Sequence, residues 1–320
     1  MKNLFVSLFA VVLFAAVSFG QGNKANTTQN GSSNEAFVEQ LGSTNSATIL
    51  SQGNLNNDNS VVDHLFSVPN TDPLILYPSP MMAKGITQHG DENTGTITQS
   101  WNSNHAGIAQ YGNGDVANIT QSDPTSSSTS YRNAWVDQLN GNGNTANVTQ
   151  MGPVLSSYVL QNGGLNTVSI NQSEFALSDA VQDGSANKLI QTQSSGLSTT
   201  DKNEAYSYQI GNNNFAVQTQ SAGSSNTSLI TSIGNNNGIL GDEIKTVQIG
   251  SGNSASIEEG LLGAVNSSLA SVFQTGSSNI ATVSQETGDF NEARVTQNTS
   301  SNKAHVYQTG ASNYSIITQQ

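Results

Sequence analysis

The chain contains no cysteine, and only 10% of its 320 residues are charged. Disulfide bonds and thiolate metal sites are therefore excluded. The 9 Lys and Arg residues occur singly and are outnumbered by 22 acidic residues, which gives a formal net charge of -13. Nucleic acid and anionic membrane surfaces are poor partners for such a chain, because both need clustered basic residues.

Apolar residues are also scarce, at 34% of the chain. Gly, Ser, Thr, Asn and Gln take their place, and this composition is typical of disordered or low-complexity segments unless a periodic pattern imposes order.

A secretory signal peptide is predicted at residues 1–20 from Lys2, an apolar run up to about Phe19, and Ser18 and Gly20 as small residues before a cleavage site. No membrane span is expected after cleavage.

The sequence repeats with a period of about eleven residues, as in QTGSSNIATVSQ at residues 274–285. In the pattern QxGxxNxAxIxQ, the Asn, Ala, Ile or Val, and final Gln positions are two residues apart. They therefore face one side of an extended strand, with polar residues between them. The GxxN segment carries residues that favour tight turns. Each unit is predicted to form one short strand and one turn.

This pattern predicts an all-β fold, a parallel β-solenoid with two short strands in each coil of roughly 22 residues, about 12 coils and loop insertions. Equivalent side chains of successive coils would form columns. A buried unpaired amide costs a few kcal/mol, roughly, but in a column each amide can donate to one neighbour and accept from the other. Such Gln and Asn ladders stabilise cross-β stacking and fix the strand register.

Proline placement agrees with the predicted strands. Five of the six prolines lie where the repeat is absent, and Pro153 follows Gly152 in a predicted turn. Inside a strand, proline would remove a hydrogen bond of the ladder. We expect the repeat to occupy residues 21–320, with insertions near 63–84, 122–131, 194–202, 238–247 and 260–267.

The repeat resembles the curlin repeat of curli fibre subunits, where Gln-x-Gly, then Asn-x-Ala, then a Gln after three further residues define a strand-turn-strand unit. The resemblance covers nearly all of residues 21–320 by recurrence. This chain differs in having similar turns at both ends of the coil, about twice the usual length, and longer insertions. A distant or accessory curlin therefore fits the pattern as well as the main fibre subunit does.

The resemblance implies the residues that form the stacking ladder. The implied stacking amides are Gln29, Gln40, Gln88, Gln99, Gln110, Gln121, Gln209, Gln220, Gln274, Gln285, Gln297, Gln308 and Gln319. The implied turn partners are Asn34, Asn45, Asn93, Asn104, Asn214, Asn279, Asn302 and Asn313. No catalytic residue, metal site or cofactor is implied.

The resemblance also implies a function: a secreted structural subunit that self-assembles end to end into extracellular amyloid fibres for adhesion and biofilm matrix. Its partners would be copies of itself, other curlin-like subunits, and a curli-type outer-membrane pore with its chaperones. The expected location is a fibre on the surface of a Gram-negative-type bacterium. The repeat continues to Gln319 without a predicted cap, which agrees with end-to-end growth.

A secreted monomeric β-solenoid that acts as an adhesin or an ice-binding module is the alternative. Threonine often precedes the ladder glutamine, which would give an outward threonine stripe, although threonine is also a common strand residue on a wet face. The stripe comprises Thr87, Thr98, Thr120, Thr149, Thr296 and Thr318.

The histidines and one apolar insertion remain to be interpreted. An enzyme is not expected, because His64, His89, His105 and His305 lack metal-ligand spacing and nearby carboxylates, and are predicted to lie on the solvated surface. The apolar insertion PLILYPSPMM, residues 73–82, is expected to fold back over the side of the solenoid.

Overall fold

The computed structural model describes residues 22–31, 34–52, 85–122, 131–194, 201–238, 243–261, 263 and 265–320. These residues form strands and turns, without a helix among them. The predicted signal peptide and the apolar insertion at 73–82 lie outside the described residues.

The strands succeed one another at short intervals along the chain. They are β1 (Lys24–Asn30), β2 (Val38–Leu41), β3 (Ser46–Gln52), β4 (Gly85–His89), β5 (Thr94–Ser100), β6 (Asn104–Asn113), β7 (Val116–Ser122), β8 (Tyr131–Asn142), β9 (Thr145–Met151), β10 (Val154–Asn162), β11 (Thr167–Ser173), β12 (Ala176–Ser185), β13 (Lys188–Gln193), β14 (Asn203–Asn212), β15 (Phe215–Ser221), β16 (Thr227–Asn235), β17 (Ile244–Ile249), β18 (Ser254–Glu259), β19 (Val265–Asn266), β20 (Leu269–Thr275), β21 (Ile280–Thr287), β22 (Glu292–Gln297), β23 (Lys303–Thr309) and β24 (Tyr314–Gln319).

Successive strands alternate between two parallel sheets. Sheet I has the order β1-β3-β5-β7-β9-β11-β13-β15-β17-β20-β22-β24, and sheet II has the order β2-β4-β6-β8-β10-β12-β14-β16-β18-β21-β23, with the short β19 paired to β16. The chain therefore winds as a parallel β-solenoid of about 11 turns, which confirms the predicted fold class. Strands of the same sheet lie roughly 23 residues apart, close to the expected 22.

The register between coils aligns the repeat with itself. Between β5 and β7, for example, Ile97 pairs with Ile119 and Gln99 pairs with Gln121. The alternating burial of each strand follows directly, because residues two apart face the same side. In β7 the buried positions are Ala117, Ile119 and Gln121.

A thin core lies between the two sheets. Alanine, valine and isoleucine from facing strands fill it, with members such as Ile49, Ile108 and Val283 almost fully buried. The core becomes polar near the middle of the chain, where Gln191 and Gln218 take the place of Ile or Val and hydrogen-bond to each other at 2.7 Å. These two glutamines were not predicted, because the repeat assigns an apolar residue to their position.

Some expected insertions are shorter than predicted. The range 238–247 contains the start of β17 at Ile244, and the range 260–267 contains β19. The loops that join the strands nevertheless vary in length, so that equivalent glutamines are separated by 21 residues in one coil and 29 in another. The coils of this solenoid therefore differ in length.

Candidate functional site in the amide columns

From β5 to β24, the inward glutamine at the end of each sheet I strand belongs to one continuous column. Each Nε2 donates to Oε1 of the glutamine in the next coil, at distances from 2.8 to 3.0 Å. The column comprises Gln99, Gln121, Gln150, Gln172, Gln193, Gln220, Gln248, Gln274, Gln297 and Gln319. All nine bonds run in the same direction, from donor to acceptor toward the C-terminus.

The second hydrogen of each amide joins the two sheets. Gln121 Nε2, besides its column bond, donates to the carbonyl oxygen of His105 at 3.0 Å, and Gln172 Nε2 donates to that of Ser156 at 3.0 Å. Both amide hydrogens and the amide oxygen are thereby used, so complete burial does not leave these groups unpaired. The sequence places glutamine here because its side chain is long enough to make both contacts.

Sheet II carries an equivalent column, but this column is interrupted. Six bonds of 2.7 to 3.0 Å join consecutive glutamines from the first coil to the seventh. The members of this stretch are Gln40, Gln88, Gln110, Gln138, Gln161, Gln182 and Gln209. Ser232 and Glu259 take the next two positions, and the column resumes with Gln285 Nε2 donating to Gln308 Oε1 at 2.8 Å.

Asparagines at the turn before each sheet I strand form a third column. The main-chain N–H of each member donates to the side-chain oxygen of the preceding member, at 2.8 to 3.3 Å. Its members are Asn23, Asn45, Asn93, Asp115, Asn144, Asn166, Asn187, Asn214, Asn237, Ser268, Asn291 and Asn313. Because each Oδ1 accepts from the following coil, this column is also directional.

The corresponding column before the sheet II strands is continuous only in the C-terminal half. It joins Asn203, Asn226, Asn253, Asn279 and Asn302 at 3.0 to 3.1 Å. Further toward the N-terminus, Asn104 stacks on the fully buried Arg132 instead, whose Nε donates to Asn104 Oδ1 at 2.5 Å. Arg132 also donates to the carbonyl oxygen of Gly152.

The structure places most of the implied ladder residues in these columns, with three exceptions. Gln29 is exposed on the first strand and lies opposite Ser51 rather than another glutamine, because the repeat is shifted by one residue in ILSQ. Asn34 donates to the carbonyl oxygen of Asn30 within its own turn at 3.4 Å. Asn104 has Arg132, not asparagine, as its neighbour in the column.

Several column members were missed by the sequence reasoning. These are Gln138, Gln150, Gln161, Gln172, Gln182, Gln193 and Gln248, together with Asn144, Asn166, Asn187, Asn226, Asn237, Asn253 and Asn291. An insertion separates Gln138 from Gln110 by 28 residues, whereas Gln150, Gln161 and Gln172 keep the eleven-residue spacing in units that depart from the full pattern. The shorter pattern Asn-x-Ala-x-Val-x-Gln survives in NTANVTQ at residues 144–150 and is the signal that could have found them.

Four buried carboxyl groups interrupt or border the columns. Burial raises the pKa of Asp115 from 3.8 to about 6, and that of Glu259 from 4.5 to about 8. Burial likewise raises the pKa of Asp137 and of Asp179 to about 7, although the tyrosine hydroxyls of Tyr158 and Tyr208 partly offset the effect. Burial therefore shifts the titration of each of these groups toward its neutral form in the folded chain.

The described residues offer no group of three His, Cys, Asp or Glu side chains that could hold a metal ion. His105 is buried rather than solvated, contrary to the prediction, while His305 is exposed. His89 lies 3.4 Å from Glu39 and packs edge-on against Tyr111. In the described ranges, no helix is long and apolar enough to span a membrane.

The fold and the columns define a class: a parallel β-solenoid whose coils are joined by buried columns of amide hydrogen bonds. The family model of the curlin associated repeat matches residues 20–53, 86–122, 266–298 and 288–320. The chain therefore carries curlin associated repeats in these segments, and the resemblance seen in its sequence is confirmed. No curated protein matches it.

The matched segments contain clean copies of the repeat, such as residues 88–99 and 274–285. Residues 131–259 lie outside them, yet their strands continue the same two sheets and the same glutamine columns. The curlin repeat points to a curli-type amyloid subunit, whose role is structural rather than enzymatic and whose place is an extracellular fibre.

Proposed function

We propose that this protein is a secreted structural subunit that self-assembles end to end into extracellular curli-like amyloid fibres, for adhesion and the biofilm matrix. The observation that supports this most strongly is the direction of the columns. Every glutamine–glutamine bond of the two columns runs from a donor on the N-terminal side to an acceptor nearer the C-terminal rim. The two rims of one subunit are therefore complementary, so identical copies can add head to tail.

The rims show this complementarity in individual atoms. At the C-terminal rim, Gln319 Nε2 donates to the carbonyl oxygen of Lys303 at 2.9 Å and retains a second hydrogen. Among the described residues, Gln40 starts the sheet II column at the N-terminal rim, and β2 has no earlier sheet II strand whose glutamine would donate to Gln40 Oε1. The edge strands β1 and β24 also leave their inward faces exposed or half-buried, whereas the inward positions of β22 are buried.

The strand count constrains how copies join. If β1 of an incoming copy pairs with β24, Gln29 aligns with Gln319 in the existing register. Sheet I then continues without a break. Sheet II has one strand fewer on its ordered path, so such a junction leaves one strand position open between β23 and the incoming β2.

The proposal extends to partners and location. Besides copies of itself, the subunit would join other curlin-like subunits and would pass through a curli-type outer-membrane pore with the help of chaperones. The apolar N-terminal run supports export, and the curlin repeat supports an extracellular fibre of a Gram-negative-type bacterium. The absence of basic clusters supports the expectation that nucleic acid is not a partner.

A rim variant tests end-to-end growth. Gln319→Leu removes the donor at the C-terminal rim, and Thr318→Leu is the matched control because Thr318 is the exposed neighbour on the same strand. We expect Gln319→Leu to slow elongation of pre-formed seeds, followed by thioflavin fluorescence, and Thr318→Leu to leave it nearly unchanged. Equal rates for the two variants, or a wild-type protein that stays monomeric for days at high concentration, would refute the proposal.

A monomeric adhesin or ice-binding module remains the alternative, favoured by an outward threonine column. Thr98, Thr120 and Thr149 are consecutive in the register of sheet I. The column is interrupted further on by Val247 and Phe273, and Thr87 lies on sheet II, where it is buried. A monomer on size-exclusion chromatography that inhibits ice recrystallisation would favour this function.

A further inference from the structure

Glu259 occupies a position in the sheet II column that glutamine occupies in most other coils. It is fully buried on the inward face of β18, and it pairs in register with Ser232 on one side and Gln285 on the other. Among the described residues, neither carboxyl oxygen has a partner within hydrogen-bonding geometry, and Gln285 Oε1 has none either. The series of donor-to-acceptor hydrogen bonds along the sheet II column is therefore interrupted at Glu259.

The direction of the column shows that position 259 must supply a hydrogen-bond donor. Gln285 Nε2 is satisfied by Gln308 Oε1 and by the carbonyl oxygen of Leu269, so only its Oε1 lacks a partner. That oxygen needs a donor from Glu259. An ionised carboxylate has no hydrogen to give and would place negative charge beside another acceptor, whereas a neutral carboxylic acid can donate.

The other side of Glu259 is matched to the neutral acid as well. Ser232 Oγ accepts a hydrogen bond from Asn237 Nδ2 at 3.1 Å, which leaves the serine hydroxyl hydrogen available for the next coil. A neutral Glu259 could accept that hydrogen with its carbonyl oxygen and donate its own to Gln285. It would then take the place of a glutamine in the column.

We propose that Glu259 is a proton-dependent link in the sheet II column: its neutral acid joins Ser232 to Gln285, and its ionisation breaks the connection between the coils on either side. The inference concerns the folding of one chain and does not rest on the assembly proposed above. Its failure and the failure of end-to-end growth are therefore distinguishable.

The described strands around Glu259 place no compensating charge in the core. The side chains that face the core from the neighbouring and opposite strands are all uncharged, namely Ser228, Ile230 and Ser232 of β16, Ala281, Val283 and Gln285 of β21, Ile244, Thr246 and Gln248 of β17, and Ala270, Val272 and Gln274 of β20. The charged groups of these described strands and of β18 point outward: Glu258, Glu286 and Lys245. Glu258 and Glu286 accept hydrogen bonds from Ser256 and Tyr307, and Lys245 pairs with Glu243.

The sign of the pH dependence follows from burial. Burial raises the pKa of Glu259 from 4.5 to about 8, with the Ser232 hydroxyl acting in the opposite direction. A group whose pKa is raised on folding stabilises the fold fully below its unfolded pKa, and this stabilisation is lost as the pH rises through the folded value. The window of loss therefore runs from about pH 4.5 to about pH 8.

The experiment compares urea unfolding of the monomeric protein with that of Glu259→Gln and Glu258→Gln at pH 5, 7 and 9. Glutamine supplies the missing donor at every pH. Relative to Glu259→Gln, the folding equilibrium constant of the wild type should fall by up to about tenfold for each pH unit within the window. Glu258→Gln, the matched outward control, should keep the wild-type pH dependence.

Hydrogen exchange gives a local readout. The amide of Gly260 donates to the carbonyl oxygen of Gln285 at 2.8 Å. Its protection, after correction for the intrinsic exchange rate, should decrease between pH 5 and 9 more steeply in the wild type than in Glu259→Gln, because Asp115, Asp137 and Asp179 are common to both proteins. A Glu259→Gln variant that fails to fold, or that follows the wild type at every pH, would overturn the proposal.

Discussion

At the residue scale, the buried amides distinguish this core from an ordinary apolar one. Gln150 accepts from Gln121 at 2.9 Å, and donates to Gln172 at 2.9 Å and to the carbonyl oxygen of Asn133 at 2.9 Å. Each bond contributes modestly, because unfolding returns both groups to water. Leaving one buried partner unpaired costs more free energy than a formed bond contributes. We therefore expect the columns chiefly to favour the correct strand register over shifted ones.

Replacing one column member tests this directly. Gln150→Leu keeps an apolar group of similar size but leaves Gln121 Nε2 and Gln172 Oε1 without their column partner. At about 1–3 kcal/mol for each of these two unpaired groups, the loss of unfolding free energy should be roughly 2–6 kcal/mol. Thr149→Val, the outward control, should change it by less than about 1 kcal/mol. Urea unfolding that shows similar losses for both would contradict the inward assignment.

Asp115 makes a second residue-scale prediction, because it replaces asparagine in the turn column. Its Oδ1 accepts from the main-chain N–H of Asn144, while Oδ2 is buried and unpaired. Burial raises the pKa of Asp115 from 3.8 to about 6, so its stabilising contribution is lost as the pH rises between these values.

Asp115→Asn should remove this part of the pH dependence, worth roughly 2 kcal/mol at most between pH 4 and pH 7. The measurement is the difference in unfolding free energy between wild type and variant across that range. Glu92→Gln, a change at an exposed turn residue nearby, provides the control for removing one negative charge. A difference that does not vary with pH would show that Asp115 folds in its ionised form.

At the element scale, the turns limit which residues can stack. Gly211 has a φ of +115°, and a Cβ placed on it would lie 1.8 Å from the carbonyl oxygen of Gly234 in the next coil. The same close approach recurs at Gly184, whose Cβ would lie 2.0 Å from the carbonyl oxygen of Gly211. Glycine is therefore required at this turn both for its conformation and for the coil spacing.

Gly211→Ala tests the turn stack. The added methyl group would force the coils on either side apart, and we expect a loss of several kcal/mol, at least about 2 more than for the control. Gly114→Ala is that control, because Gly114 also has a positive φ, of +66°, but has nothing within 4 Å of the added Cβ. If thermal or urea unfolding shows equal losses, the turns do not set the spacing.

At the scale of the whole molecule, the regular part of the fold was predictable from the sequence and its exceptions were not. Alternation of period two, with GxxN turns between strands, predicted the parallel solenoid and the inward face of β21, where Ala281, Val283 and Gln285 are buried. Gln138 was missed because an insertion separates it from Gln110 by 28 residues.

Other features depend on tertiary context. Nothing in the repeat indicates that Arg132 would be buried in an asparagine position, or that Glu259 would stand in the glutamine column. The polar pair Gln191 and Gln218 likewise finds its hydrogen-bond partners in neighbouring coils and on the facing sheet. Such residues become interpretable once the register is known, because their partners lie in neighbouring coils rather than nearby in the sequence.

Diffraction from aligned assemblies of the purified protein tests the central claim most directly. If copies continue the solenoid end to end, the fibre should give a meridional reflection at about 4.8 Å, with strands perpendicular to the fibre axis. The rise for each subunit should be roughly 50–60 Å, from 11 to 12 strand levels about 4.8 Å apart. Assemblies that lack this meridional reflection, or whose rise for each subunit is much shorter, would contradict growth by continuation of the columns.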